Sequence, residues 1–251
     1  MSDARMPGSA VCSAQIDLSA IRDNAAVLAA RVAPRLLAAD LAADGYGHGA
    51  VATALAALRG GAASLTVSEL DDARELRDAG IAVDIVAQRG LPSSGTARTW
   101  HDHEVYSAGA ALYGLVEDAE LRPAMRVSAL VVGTKTIEAG EGVSYGYTYR
   151  AAARTNLALV GIGYADGLDR IASNVGTLLL GGKPRTIAGR VAMNALVLDL
   201  GEDTVRVGDE AVVFGDESRG EPRAAAWAAA LGRSAAEVVS VFGQHLPRMT
   251  S

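Results

Sequence analysis

The sequence predicts an α/β protein, with βα repeats in its first half and a small all-β region in its second. Three observations carry this. Short apolar runs alternate with helical patterns as far as Leu115. The connections there are short, which for strand–helix–strand repeats implies parallel pairing. Beyond Pro123 the texture changes to strands separated by glycine turns.

Ala14 to Leu18 reads as a strand, followed by an Ala-rich helix over Ile21 to Val32 with Ser19 as candidate cap and Pro34 as stop. Leu36 to Leu41 is a second apolar run, ended by Gly45-Tyr46-Gly47-His48-Gly49. Val51 to Leu58 is helical and Gly60-Gly61 ends it. Ser64 to Val67 is a short strand. Ser68 to Asp71 reads as a capping box before a helix to Ala79, with Gly80 as its C-terminal stop. Ile81 to Ala87 is a further buried strand, and Gly90 to Thr96 is a loop. In the second half, strands are expected over Arg126–Ile137, Asn156–Gly161, Thr177–Leu180, Thr186–Arg190, Ala195–Leu200 and Glu210–Phe214. Ala224–Leu231 and Ala235–Phe242 read as helices. The division falls near residue 120, giving units 13–118 and 119–251.

The 251 residues, half of them hydrophobic, suffice for one sizeable core or two modest ones. With 4% aromatic residues, that core is Ala, Val and Leu. A net charge of −6 gives no electrostatic reason to coat nucleic acid or an anionic membrane. Cys12 stands alone, so neither an internal disulfide nor a C-x-x-C zinc site is available. Met1 to Ala14 has no apolar leader core, and no stretch approaches the ~18 apolar residues of a membrane span. A cytoplasmic setting is expected. The chain has 21 arginines and only two lysines, Lys135 and Lys183, so lysine chemistry has two candidates.

Ala43-Asp44-Gly45-Tyr46-Gly47-His48-Gly49 is the sharpest motif. Its glycines permit close backbone approach to a ligand, and the helix that follows offers an N-terminus to a phosphate. A plain glycine-rich βα turn would look the same. Gly142-Val143-Ser144-Tyr145-Gly146 and Gly163-Tyr164-Ala165-Asp166-Gly167 place a tyrosine on a loop, either for proton transfer or for hairpin packing. Gly189 to Asn194 alone reads as a strand end. His101-Asp102-His103-Glu104 has alternating imidazoles, but no further His or Cys clusters with it, so it reads as a solvated segment and no metal is expected.

Taken together and in order, these segments resemble the alanine racemases. That family carries a lysine followed by A-D-x-Y-G-H-G, then I-x-L-Y-G-L, G-V-S-Y-G, G-Y-A-D-G and G-R-x-x-M-D. Here the matches are Ala43–Gly49, Ala110–Leu115, Gly142–Gly146, Gly163–Gly167 and Gly189–Asn194. Gln15–Leu18 resembles the family's opening strand and Ser68–Gly80 its E-x-x-E-L-R-x-A-G helix. The resemblance implies a TIM-type β/α barrel holding pyridoxal phosphate, a C-terminal β domain and a head-to-tail dimer. It implies racemisation of alanine, with a lysine on one face and a tyrosine of the partner chain on the other. By position Tyr145 is that tyrosine. The resemblance further implies that Tyr46, Gly109 and Ala110 border the cofactor, with Tyr46 on its phosphate, that Met193 lies beside the substrate, and that Tyr164, Arg170 and Arg190 line the entrance.

Three departures qualify this. The lysine position is Ala42, and a methyl group neither attaches the cofactor nor moves a proton. Ser107 stands where the family pairs the cofactor ring with an arginine. A full barrel takes about 250 residues, and the region up to residue 118 holds roughly half of that. The segments match the first three barrel strands and the last, with the missing block near Arg89 to Trp100. The fold expected is therefore a partial, roughly half, TIM-type barrel followed by an all-β domain. Its open edges and uncovered apolar inner face predict an oligomer or a rearrangement. The function expected is a catalytically impaired relative with weak or absent, non-covalent pyridoxal phosphate. Such a chain would pair as a homodimer, or with an intact racemase to which it lends Tyr145. One rival is an active racemase working through His48 or Tyr145 with unattached cofactor and a small amino acid. Another is an enzyme that uses the cleft without the cofactor.

Overall fold

The computed structural model describes residues 10–88, 98–100 and 103–251. The expected loop Gly90–Thr96, and His101 and Asp102, lie outside the described residues. The architecture is α/β: roughly half of a β/α barrel, followed by a C-terminal β domain.

The barrel-like part is a five-stranded sheet. Leu36–Asp40 lies at its centre, parallel to Ser64–Val67 on one side and to His103–Ala108 on the other. Asp84–Ala87 follows Ser64–Val67 in parallel, and Arg98–Trp100 pairs antiparallel with His103–Ala108. The four parallel strands are thus contiguous, the arrangement expected of a barrel's first three strands and its last. Helices Leu18–Val32, Ala50–Arg59 and Leu70–Asp78 pack on one face. That face is apolar because alternate residues of each strand point to it. Leu37, Ala39, Leu65, Val67 and Ala108 all join the main core.

The opposite face differs from expectation. In register, Ala38 lies beside Ser64 and Ser107, and Asp40 beside Thr66, which lies beside Val86. Only Ala38 and Val86 among these are apolar. Leu36 and Val105, in register with each other, add two apolar side chains to this face, and Ala38, Ser64, Thr66, Val86 and Val105 are all buried, so the inner surface is mixed where a closed barrel packs branched apolar residues in layers.

The second sheet has eight strands. Met125–Ile137 is its long spine, pairing with Thr155–Val160, Glu210–Phe214 and Cys12–Ile16. Cys12–Ile16 also runs parallel to Arg248–Thr250. The opening strand therefore hydrogen-bonds within the β domain, and a cut at 118/119 leaves its partners on the far side. Alternation identified a strand there, but it carries no record of the partner.

Local corrections are small. Asp17, not Ser19, caps the first helix, accepting from Ala20 N–H at 2.9 Å. The third helix begins one residue later than expected, with Glu69 as N-cap and its N–H donating to Asp72 at 2.9 Å. The strand expected at Thr186–Arg190 is Lys183–Thr186, paired with Thr177–Leu180 as a hairpin. No helix among the described residues is long and apolar enough to cross a membrane.

Candidate functional site

The central strand ends at Asp40 and delivers Ala42 to the mouth of the sheet. The chain then turns left-handed over four residues: φ is 52° at Ala43, 56° at Asp44, 63° at Gly45 and 53° at Tyr46. Left-handed backbone costs an L-residue about 1–2 kcal/mol, so its surroundings must hold it. Ala42 N–H donates to Asp40 Oδ1 at 3.0 Å, and Gly47 N–H to Ala43 O at 2.9 Å. Asp44 Oδ2 takes the Arg248 guanidinium. Gly47, itself at φ 77°, meets the helix Ala235–His245 backbone to backbone; a Cβ there would fall 2.8 Å from Val239 O.

The helix Ala50–Arg59 follows this turn, but its N-terminus is not open to a phosphate. Asp44 Oδ1 accepts from Ala50 N–H at 2.7 Å, so the protein's own carboxylate takes the anion position.

Tyr46 also faces an acid. Its hydroxyl donates to Asp40 Oδ2 at 3.4 Å and lies over Gly109, where a Cβ would come within 2.7 Å of it. Ala110 opens the short helical turn Ala110–Tyr113. The Tyr113 hydroxyl donates to Asp40 O at 2.7 Å, and its ring lies 4.8 Å from that of Tyr46 and 4.5 Å from that of His48. Burial raises the Asp40 carboxyl, partly offset by hydrogen bonding from Ala42 N–H and by the nearby polar groups of Thr66, Gln88 and Tyr46. Burial, then the Asp40 charge, pushes the Tyr46 hydroxyl up to about 12. Burial lowers His48 to about 4, so the imidazole is neutral near pH 7. Its Nδ1 lies 2.9 Å from Tyr46 O and 3.0 Å from Gly45 O, and Nε2 is buried without a partner.

Neither lysine approaches Ala42. Lys135 is exposed on the β-domain spine, and Lys183 pairs with Asp203 at 2.8 Å. Ser107 is exposed, in register with Ala38. Among the described residues no group of three or more His, Cys, Asp or Glu is placed to hold a metal.

A cavity of about 900 Å³ opens between the left-handed turn and the two C-terminal helices. Ala42, Tyr46, Tyr164 and Arg170 line it; Tyr145, Arg190 and Met193 do not. The Arg170 guanidinium stacks 5.5 Å from the centroid of Tyr164. The other three belong to interlocked loops of the β domain. Ser144 Oγ donates to Arg190 O at 2.6 Å, and Ala165 N–H to Met193 O at 2.9 Å. Tyr145 is 72% and Met193 56% exposed. The predicted residues thus form two groups in one chain: a mouth group and an outward-facing loop group. Asp40, Thr66, Gln88 and Arg248 were not singled out in the sequence. The available signal was an acid interrupting the apolar run Leu36–Leu41.

Fold and site together define a partial β/α barrel with its mouth at the end of the central strand, joined to a β domain that presents tyrosine loops. The family model for the N-terminal domain of alanine racemase matches residues 16–115, and that for its C-terminal domain matches 124–250. The chain belongs to the alanine racemase family. It is 30% identical to the alanine racemase of Thermobifida fusca over 367 aligned positions, covering 96% of this chain and 98% of that protein. That alignment is longer than the chain's 251 residues. The alanine racemase of Salinispora arenicola is 32% identical, with 93% and 96% covered. Among solved structures, the alanine racemase of D-cycloserine-producing Streptomyces lavendulae is 29% identical, has a TM-score of 0.87, and covers 97% of this chain and 98% of that one. The family depends on pyridoxal phosphate and acts on small molecules.

Proposed function

We propose that this chain is a shortened family member that has lost racemisation and serves as a binding or partner protein. One observation carries the reading: the position that the motif assigns to the cofactor lysine is Ala42, and both lysines lie in the β domain. Imine attachment and a proton relay both need an amine there. Pyridoxal phosphate does not fit the mouth as a covalently held group. A phosphate would also meet the Asp40 carboxylate at Tyr46 and the Asp44 carboxylate at the helix N-terminus. Weak, non-covalent affinity is the most these residues support.

The alignment over 367 positions supports the shortened barrel, since a relative of that span carries residues with no counterpart here. The exposure of Tyr145 and Met193 supports a partner role. Neither residue lines this chain's own mouth cavity, so a second chain is what they would serve, in a homodimer or beside an intact racemase.

The test is racemisation of L-alanine by the purified protein with added pyridoxal phosphate, beside Ala42→Lys and Tyr145→Phe variants. The natural protein is expected to be inactive. Activity in the natural protein that disappears with Tyr145→Phe would overturn the reading. Activity gained by Ala42→Lys would show that one side chain separates this site from a working one.

A further inference from the structure

The inner face of the short sheet carries polar groups that none of the family motifs contains. Asp40 is the centre. It is largely buried, and among the described residues no cation pairs with it; its partners are Ala42 N–H at 3.0 Å, Tyr46 at 3.4 Å and Gln88 Nε2 at 3.5 Å. The last two are long, and all three are neutral. A carboxylate taken this far from water normally has a cation or several short hydrogen bonds.

Thr66 supplies an independent observation. It lies beside Asp40 in register on the neighbouring strand, on the same face. It is 6% exposed, and its Oγ1 has no hydrogen-bond partner. The hydroxyl faces the Asp40 carboxylate without reaching hydrogen-bond geometry. A buried hydroxyl left unpaired destabilises the fold, and a bound group with donors would remove that penalty. Ala42 and Tyr46, the two residues hydrogen-bonded to the Asp40 carboxylate, line the cavity at the mouth.

We propose that Asp40, Thr66 and Tyr46 form a binding site for the primary ammonium group of a small amine. The chemistry selects that class. The carboxylate supplies charge, the two hydroxyl oxygens supply further acceptors, and an R–NH₃⁺ group brings three donors. An anion is disfavoured by the same carboxylate. The side chain of Ala42 leaves room for the alkyl end. The site shares Tyr46 and Ala42 with the mouth but rests on Asp40 and Thr66, on which the loss of racemisation does not depend, and so can be tested apart from it.

The experiment is titration of the natural protein with ethylammonium chloride, followed by amide chemical shifts, with sodium chloride at equal ionic strength as reference. Saturable shifts at Ala42, Tyr46, Thr66 and Gln88 are expected. Asp40→Asn, which keeps the shape and the acceptor for Ala42 N–H, is expected to weaken binding at least tenfold. Thr66→Val, of matching volume in a buried position, is expected to weaken it several-fold without loss of folding. Equal affinity in Asp40→Asn, no saturable shift at these residues, or the same shifts with sodium alone would each overturn the assignment. Failure here would leave the racemisation assay unaffected, so the two readings fail separately.

Discussion

The mouth of the barrel and the tyrosine loops of the β domain differ in how they are held. The mouth consists of left-handed backbone, a buried neutral histidine and carboxylates facing inward. The loops consist of glycine turns braced by main-chain hydrogen bonds, with Tyr145 and Met193 turned outward. The first region is strained and pinned by contacts from elsewhere in the chain; the second is largely self-supporting. A substitution in the mouth, at Ala42 or Asp40, would alter its chemistry without touching the loops. On the proposed reading, that separation is what lets the outward face persist without the cofactor anchor.

The largest effect is expected where the mouth is pinned. Gly243, in the last helix, would place a Cβ 2.1 Å from Gly47 O, so the helix and the turn cannot stay in contact with any larger residue. Gly243→Val is expected to cost about 3 kcal/mol in urea denaturation, through overpacking of backbone on backbone. Gly182 sits in the β hairpin at φ 73° with no heavy atom within 4 Å of its Cβ position. Gly182→Ala is expected to cost only about 1 kcal/mol, from backbone strain. Equal losses would mean that the mouth is not the more tightly pinned of the two regions.

Acid should separate the regions next. Burial holds His48 at about 4, against an ordinary 6.5, with hydrogen bonds to Tyr46 O and Gly45 O partly opposing it. Arg248 lowers it further and Asp44 raises it. Between those two values the unfolded chain binds the proton and the folded chain does not. The His48 contribution is therefore complete above about pH 6.5 and is lost as pH falls towards 4. At pH 5 the loss is expected to be about 2 kcal/mol. Urea midpoints from pH 7 to 5, compared with those of a His48→Gln variant, measure it. A slope unchanged by the substitution would remove His48 as the cause.

Much of this fold was legible from local pattern. Alternation and capping signals located most strands and helices, because each is decided by residues a few positions apart. Pairing was less legible. Cys12–Ile16 joins a strand more than a hundred residues away, and nothing within its five residues says so. The strand at Lys183–Thr186 lies just before the expected Thr186–Arg190; it contains Pro184, which a central strand would not take but an edge position tolerates. In the site, glycine motifs exposed the turn, but not the left-handed conformation of Ala43, Asp44 and Tyr46, which are not residues that announce it. Asp40 was visible only as an acid inside an apolar run. Its significance depends on Thr66 and Gln88, which reach it only through the sheet.

The smallest effect belongs to the β domain and completes the comparison. Arg126 reaches Glu210 through two hydrogen bonds of 2.7 Å and Glu221 through one of 2.7 Å, beneath the sheet spine. The Arg126 guanidinium holds the Glu210 carboxyl down at about 2, against an ordinary 4.5. A depressed acid stabilises the fold above its unfolded value and loses that contribution as pH falls through its folded value. The window is therefore about pH 4.5 to 2, below that of His48. Glu210 is 43% exposed, so solvent screening limits the pair to about 0.2–1 kcal/mol. Its partner Glu221 is only 5% exposed, so Arg126→Met would also strand a buried acid. Glu210→Gln avoids that complication. It should flatten the stability slope below pH 4.5 and leave the slope between pH 7 and 5 unchanged. A Glu210→Gln variant that altered the upper window would show that the two regions do not titrate separately.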